Sequence, residues 1–351
     1  MWNNGGRRSF KREDYTVGII CALPLERTAV QAMLDVRHDL LPAASGDNNC
    51  YAYGSIGPHN VVVASLTRGE YGLVQAAGVA EDIRRSFPKI RFGLMVGIAG
   101  AIPRPHEGVD IRLGDIIVGS AEGKPSVVNY EFGKATRAGF EMRTEFAKPP
   151  PAIRRAIAAL EADMPLKGPT YLLHLDAMLK KHPRLDNPYH RNHYFNQPAG
   201  LDHFFKASFP HPEGAGDCQY CTISPDTVEF RDARSLCRPP EGLESVRFIE
   251  FRKQDADVYY DYPLVHYGTI ASSNTLVKDG RKRDTYWARI KRQTGAEALC
   301  FEMEAAGIDL LLSIPPQHVE NAEVANDVMR KDPIPNRSEA DFTNESFSAH
   351  L

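Results

Sequence analysis

The chain has 351 residues, 42% of them hydrophobic and 25% charged, with a formal net charge of -3. These are ordinary values for a globular protein of one large domain or two small ones. The charge balance gives no electrostatic reason to expect nucleic acid as a partner. The first fourteen residues read as a polar, disordered leader whose Arg7, Arg8, Lys11 and Arg12 form a solvated tail. That leader lacks an apolar signal core, and no later run is long enough to span a bilayer. A cytoplasmic location is expected, with the nucleus as the alternative. The six cysteines, Cys21, Cys50, Cys218, Cys221, Cys237 and Cys300, are too sparse and uneven for a disulfide framework, so reduced thiols are expected.

Strand-like and helix-like segments alternate through the first half. Residues 17–23 (VGIICAL) form a compact apolar run, and Leu25, Ala29, Ala32 and Met33 then recur at helical spacing. Residues 61–66 (VVVASL) predict a second strand, followed by the Gly-punctuated turn TRGEYG. Residues 74–87 predict a helix, residues 92–98 (FGLMVGI) a third strand and residues 115–118 a fourth. Because the strand runs do not alternate with polar residues, both strand faces should be buried. That predicts an α/β fold: a three-layer sandwich with a central, mostly parallel or mixed sheet.

From about residue 167 to 262 no period is sustained, which predicts an irregular insertion rather than a second core. Order returns with a strand over 265–271, a charged helix over 281–294, a strand over 299–303 and an apolar helix over 305–312. The domain thus spans 15–313, and the polar remainder, 314–351, reads as a disordered tail.

Four segments follow strands, where open α/β sheets gather their ligands. They are Glu26; VGIAGAI (96–102), whose small residues admit a ligand close to the backbone; IASSNTLVKDG (270–280); and FEMEA (301–305), with Glu302 and Glu304 flanking Met303. Each also has a plainer reading. Glu26 suits the first turn of a helix, and Gly97 and Gly100 fall short of a dinucleotide fingerprint. The FEMEA pair resists such a reading, since two carboxylates beside an apolar strand are costly to bury without partners. Cys218 and Cys221 have the spacing of one zinc-ligand pair, but the second pair is absent, and no metal is expected.

Taken in order, GIICALPLE, RFGLMVGIAGAIP, DIRLGDIIVG, HYGTIASSN and CFEMEAAG resemble the purine/uridine phosphorylase superfamily. Within it they are most similar to methylthioadenosine/S-adenosylhomocysteine nucleosidases of the fungal type. The resemblance covers about 15–307. It implies a domain that binds a purine nucleoside or nucleotide and cleaves its N-glycosidic bond without metal or organic cofactor, with a homodimer as one assembly to test. Glu26 falls where nucleosidases orient the attacking water and phosphorylases carry an arginine, which favours hydrolysis. Met303 and Glu304 match the ribose-binding pair; Ile98, Ala99 and Gly100 match the loop lining ribose and base; Leu276 and Val277 match the base-binding pair, with leucine where an aromatic ring usually stacks. The resemblance ends at Gly307. Family members continue through a strand ending in the Asp that protonates the leaving base, and no such strand follows here, which implies impaired turnover. The alternative is a module that senses nucleosides without cleaving them.

Overall fold

A computed structural model describes residues 10–143, 148–186, 204–209, 228–229, 236, 241, 243, 249–252 and 258–312. In chain order the strands are β1 (Val17–Cys21), β2 (Val36–Arg37), β3 (Ala52–Ile56), β4 (His59–Ser65), β5 (Phe92–Met95), β6 (Gly100–Ala101), β7 (Ile116–Gly119), β8 (Val127–Asn129), β9 (Gly133–Thr136), β10 (Gly139–Met142), β11 (Phe204–Phe205), β12 (Val228–Glu229), β13 (Ile249–Arg252), β14 (Val258–Asp261), β15 (Val265–Ser272) and β16 (Ala298–Glu302). The α-helices are α1 (Pro24–Met33), α2 (Leu73–Ser86), α3 (Pro151–Lys167), α4 (Tyr171–Lys181), α5 (Gly280–Thr294) and α6 (Ala305–Leu312).

Two arrays of strands carry the fold. The first runs β2-β3-β4-β1-β5, with β1 parallel to β4 and β5 and the hairpin strands β2 and β3 antiparallel at one side. In the second, β15 lies parallel to β16 on one side and to β7 and β8, in succession, on the other; β6 closes the outer side of β16 antiparallel. The mixed α/β architecture expected from the sequence is therefore present.

The non-alternating strand runs have a simple cause. Val17, Ile19, Cys21, Val61 and Val63 face Val30 and Leu34 near α1 and Ala156 and Ile157 of α3. Ile20, Val62 and Ala64 face Ala76, Ala80 and Ile83 of α2 and Ala305 and Ile308 of α6. Helices thus cover both faces, giving three layers. Ile83 is fully buried there, worth about 2 kcal/mol of burial. In the second array, Ala271, Ala298 and Phe301 meet Ile290 of α5.

Two expectations are corrected. The supposed leader is packed over its last residues: Phe10 stacks on His38 with ring centroids 4.0 Å apart, and the Arg12 guanidinium sits 5.8 Å from the centroid of the Phe87 ring. Arg12 is half-buried, placed beside Phe87 and bonded to the Pro42 carbonyl, whereas Arg7 and Arg8 lie outside the described residues. The irregular insertion also gives way at its start. Helix α4 occupies 171–181, and its Leu172, Met178 and Leu179 bury themselves against Ala32 and Met33 of α1. The tail from 314 and the cysteines Cys218, Cys221 and Cys237 lie outside the described residues. Cys21, Cys50 and Cys300 are free thiols. Among the described residues, no helix is long and apolar enough to cross a membrane.

Candidate functional site

The carboxyl ends of β1, β4, β5, β15 and β16 converge on one rim, because side chains from one array are bonded to the backbone of the other. Leu23 precedes α1 and has no side-chain acceptor to cap it, so Glu26, three residues on, reaches back to its N–H. Glu26 Oε2 accepts from Ala22 N and Leu23 N, both at 2.7 Å, and Oε1 accepts from Ile98 N at 2.8 Å. One carboxylate therefore joins the end of β1 to the loop after β5. A β-carbon at Gly97 would stand 3.0 Å from Glu26 Oε1, so the glycine gives this approach its room.

Glu302 closes β16, and its Oε2 accepts from Glu304 N and Ala305 N, both at 2.8 Å. It thereby satisfies the first free N–H groups of α6. Glu302 Oε1 is buried and has no hydrogen-bond partner of normal geometry among the described residues. Glu304 Oε1 accepts from Gly72 N at 3.1 Å. The three glutamates are each 6–7% exposed.

Their acidities follow from this burial. Desolvation pushes the Glu26 carboxyl up, its three N–H donors pull it back, and the negative charge of Glu302 adds to the rise. Desolvation also raises Glu302, against the Ser272 hydroxyl and the N–H groups of Glu304 and Ala305. Glu304 is pushed up to about 7, chiefly by desolvation and then by Glu302, with the Gly72 N–H opposing and Glu26 adding a further push. Among the described residues no set of three or more His, Cys, Asp or Glu side chains has the geometry to hold a metal ion.

Around the carboxylates the loops are open. Ile98 is 50% and Leu276 62% exposed, while Ala99 is half-buried and Gly100 exposed. Val277 instead packs on the cluster of Ile102, Val128, Tyr130 and Phe301, and Met303 is half-buried. The structure thus brings Glu26, Ile98 and Glu304 to one place, whereas Leu276 stands exposed on the loop that follows β15. Arg27 does not offer its guanidinium freely: Nη1 donates to Cys50 O and Ser65 Oγ, each at 2.9 Å. Arg68 stays exposed on the turn after β4.

Sequence reading missed Gly72, Ser272 and Asn274 as parts of this site. Asn274 Oδ1 accepts from Leu73 N at 2.9 Å, and Ser272 Oγ accepts from Ala306 N at 3.1 Å. The signals were the last glycine of TRGEYG and the polar SSN closing an apolar strand, but nothing local tells which helix each would meet.

No family model matches the chain. A nucleotide-binding leucine-rich repeat (NLR)-like protein of Hyaloscypha variabilis is 34% identical over 305 residues, which is 86% of this chain and 26% of that protein. The chain thus spans about a quarter of the length of this relative. Among solved structures, the chain is similar to a putative 5'-methylthioadenosine/S-adenosylhomocysteine nucleosidase of Borrelia burgdorferi bound to adenine, at TM-score 0.45 and 17% identity, covering 84% of this chain and 79% of that one. It is also similar to a futalosine hydrolase mutant of Helicobacter pylori, at TM-score 0.44 and 10% identity, covering 85% and 81% respectively.

Proposed function

We propose that this domain belongs to the nucleoside phosphorylase/nucleosidase superfamily and binds a purine nucleoside or nucleotide at the glutamate-lined rim. The observation that carries the reading is Glu304: a buried carboxylate at the carboxyl end of a central strand, tied on Oε1 by the N–H of Gly72. An ionised carboxylate has about four acceptor sites, so Glu304 keeps capacity for the two hydroxyls of a ribose. Charge-assisted bonds of that kind fix the sugar, and the same negative charge favours the cationic sugar that develops as a glycosidic bond breaks. Ile98, Ala99 and Gly100 would line ribose and base, Met303 the sugar, and Leu276 and Val277 the base. With leucine at 276, the base meets an apolar contact without ring stacking.

Glu26 sets the chemistry. Three of its roughly four acceptor sites are filled by backbone N–H groups, leaving room to hold one water. A carboxylate raised by burial suits a base that orients that water. Arg27 is engaged with Cys50 and Ser65, so water is favoured over phosphate as the nucleophile. No metal or organic cofactor enters this scheme.

The leaving base still requires a proton, and the family's acid Asp has no counterpart at its place after Gly307 in the sequence. General acid help is worth about 10²- to 10⁴-fold in rate, so hydrolysis by this chain should be weak. That observation favours a second reading, a nucleoside-sensing module. Its likeness to part of an NLR-like protein suits a sensor in a larger chain. Base release from adenosine-type nucleosides, with and without phosphate, alongside calorimetric binding, separates the two. Turnover supports the enzyme and binding without turnover the sensor; no binding at all sinks both.

A further inference from the structure

Helix α2 begins at Leu73 behind Gly72, a residue with no side chain to cap it and a φ of 101°. The missing cap comes from the far end of the chain. Asn274 Oδ1, in the loop after β15, accepts the Leu73 N–H at 2.9 Å. A β-carbon on Gly72 would stand 2.5 Å from that same oxygen, so glycine is required here by both backbone and space. One residue before the capped amide, the Gly72 N–H donates to Glu304 Oε1. The two donors lie on successive peptide groups joined at the Gly72 Cα, so the bonds to Asn274 and Glu304 together restrain the φ and ψ of Gly72.

The surroundings close the ring. A β-carbon on Gly307 would collide with the carbonyl oxygen of Leu73, so α6 rests directly on the first turn of α2. Ser272, two residues before Asn274, takes the Ala306 N–H, and Ser273 N donates to Glu302 O at 3.2 Å. The loop after β15, the start of α2 and the start of α6 are thus mutually bonded around Glu304.

We propose that Asn274 is a positioning residue: by capping α2 from outside, it holds the Gly72 N–H on the Glu304 carboxylate and so keeps that carboxylate in place for the ligand. The charged groups facing Glu304 are Glu302 from its own segment and Glu26 from α1, both of which disfavour its ionisation. The loop bearing Gly72 also carries Arg68 and Glu70, both exposed. Against two like charges, the Gly72 N–H, followed by that of Met303, favours the charged form. The consequence for ligand binding rests on the proposed role of Glu304 with nucleosides; the positioning itself does not.

The test follows the Glu304 carboxyl by carbon-13 NMR in the ligand-free 351-residue chain, together with amide exchange at Gly72 and Leu73. In Asn274→Ala the titration midpoint of Glu304 should rise by about one pH unit, the scale of one lost hydrogen bond to a charged group. Both amides should exchange faster. Asn274→Asp keeps an acceptor for Leu73 and should keep both amides protected. An unchanged midpoint and unchanged exchange in Asn274→Ala overturn the proposal. Loss of protection in Asn274→Asp also overturns it, and this arm decides the matter if the alanine variant does not fold. Calorimetry with adenosine then tests the functional reading separately: if no variant and no wild-type chain binds adenosine while the midpoint still moves, the positioning holds and the nucleoside reading fails.

Discussion

Two strand ends each deliver a buried glutamate to the same rim, and they treat it differently. At the end of β1, Glu26 is pinned by three backbone N–H groups from two loops. At the end of β16, Glu304 takes the Gly72 N–H from the other array and is pushed up to about 7. The pinned carboxylate is part of the fold: it stitches β1 to the loop after β5 and has about one acceptor site left. The less saturated one suits the proposed binding role, because a carboxylate kept in a dry place with spare acceptor sites gains most from a ligand that donates. Glu302 acts on both, with one oxygen serving α6 and the carboxylate also favoured by the Ser272 hydroxyl.

Removing the pinned group should do the most damage to the fold. Glu26→Ala leaves three N–H groups without their acceptor, one buried and two part-buried, at about 1–3 kcal/mol for a buried orphan and less for the others. A total loss of about 3–5 kcal/mol is expected in urea unfolding, and a loss under 1 kcal/mol would show that water replaces the carboxylate freely. Glu304→Gln should still fold and should weaken nucleoside binding by about 1.5–3 kcal/mol, the worth of hydrogen bonds to a charged group. Glu302→Gln should weaken binding less, which calorimetry on both variants checks. Equal losses would mean that the two carboxylates have been assigned the wrong way round.

Opposite in sign for stability and binding is the effect of pH. A carboxyl raised in the folded state binds a proton more tightly there than when unfolded. Its stabilising contribution is full below the unfolded value of about 4.5 and is lost as pH rises through about 7. Wild-type stability relative to Glu304→Gln should therefore fall across that window. Ligand affinity should rise over the upper part of the same window, since the ionised form is the one that accepts from hydroxyls. Parallel slopes for stability and affinity would contradict this assignment of the proton.

Much of this was legible in the sequence because burial on both faces leaves an apolar run without alternation. The runs at 17–23, 61–66 and 265–271 read as central strands for that reason. Other pieces were not legible: Gly54 and Ser55 interrupt the apolar run of β3, β8 carries too few residues to show a period, and α4 hides in a stretch whose His, Lys and Tyr mask the buried Leu172, Met178 and Leu179. Glu26 and Glu304 could be named from the motifs around them, but the contrast between them could not. It depends on Ile98, Gly72 and Asn274, which are 72, 232 and 30 positions away along the chain, and on the meeting of two strand arrays that no local pattern records.

The most direct test of the account is a calorimetric comparison of adenosine with 2',3'-dideoxyadenosine on the wild-type chain at a pH above 7. If Glu304 accepts from the ribose hydroxyls, removing both should weaken binding by at least about tenfold, the lower end of what bonds to a charged group are worth. Equal affinity for the two nucleosides would contradict it.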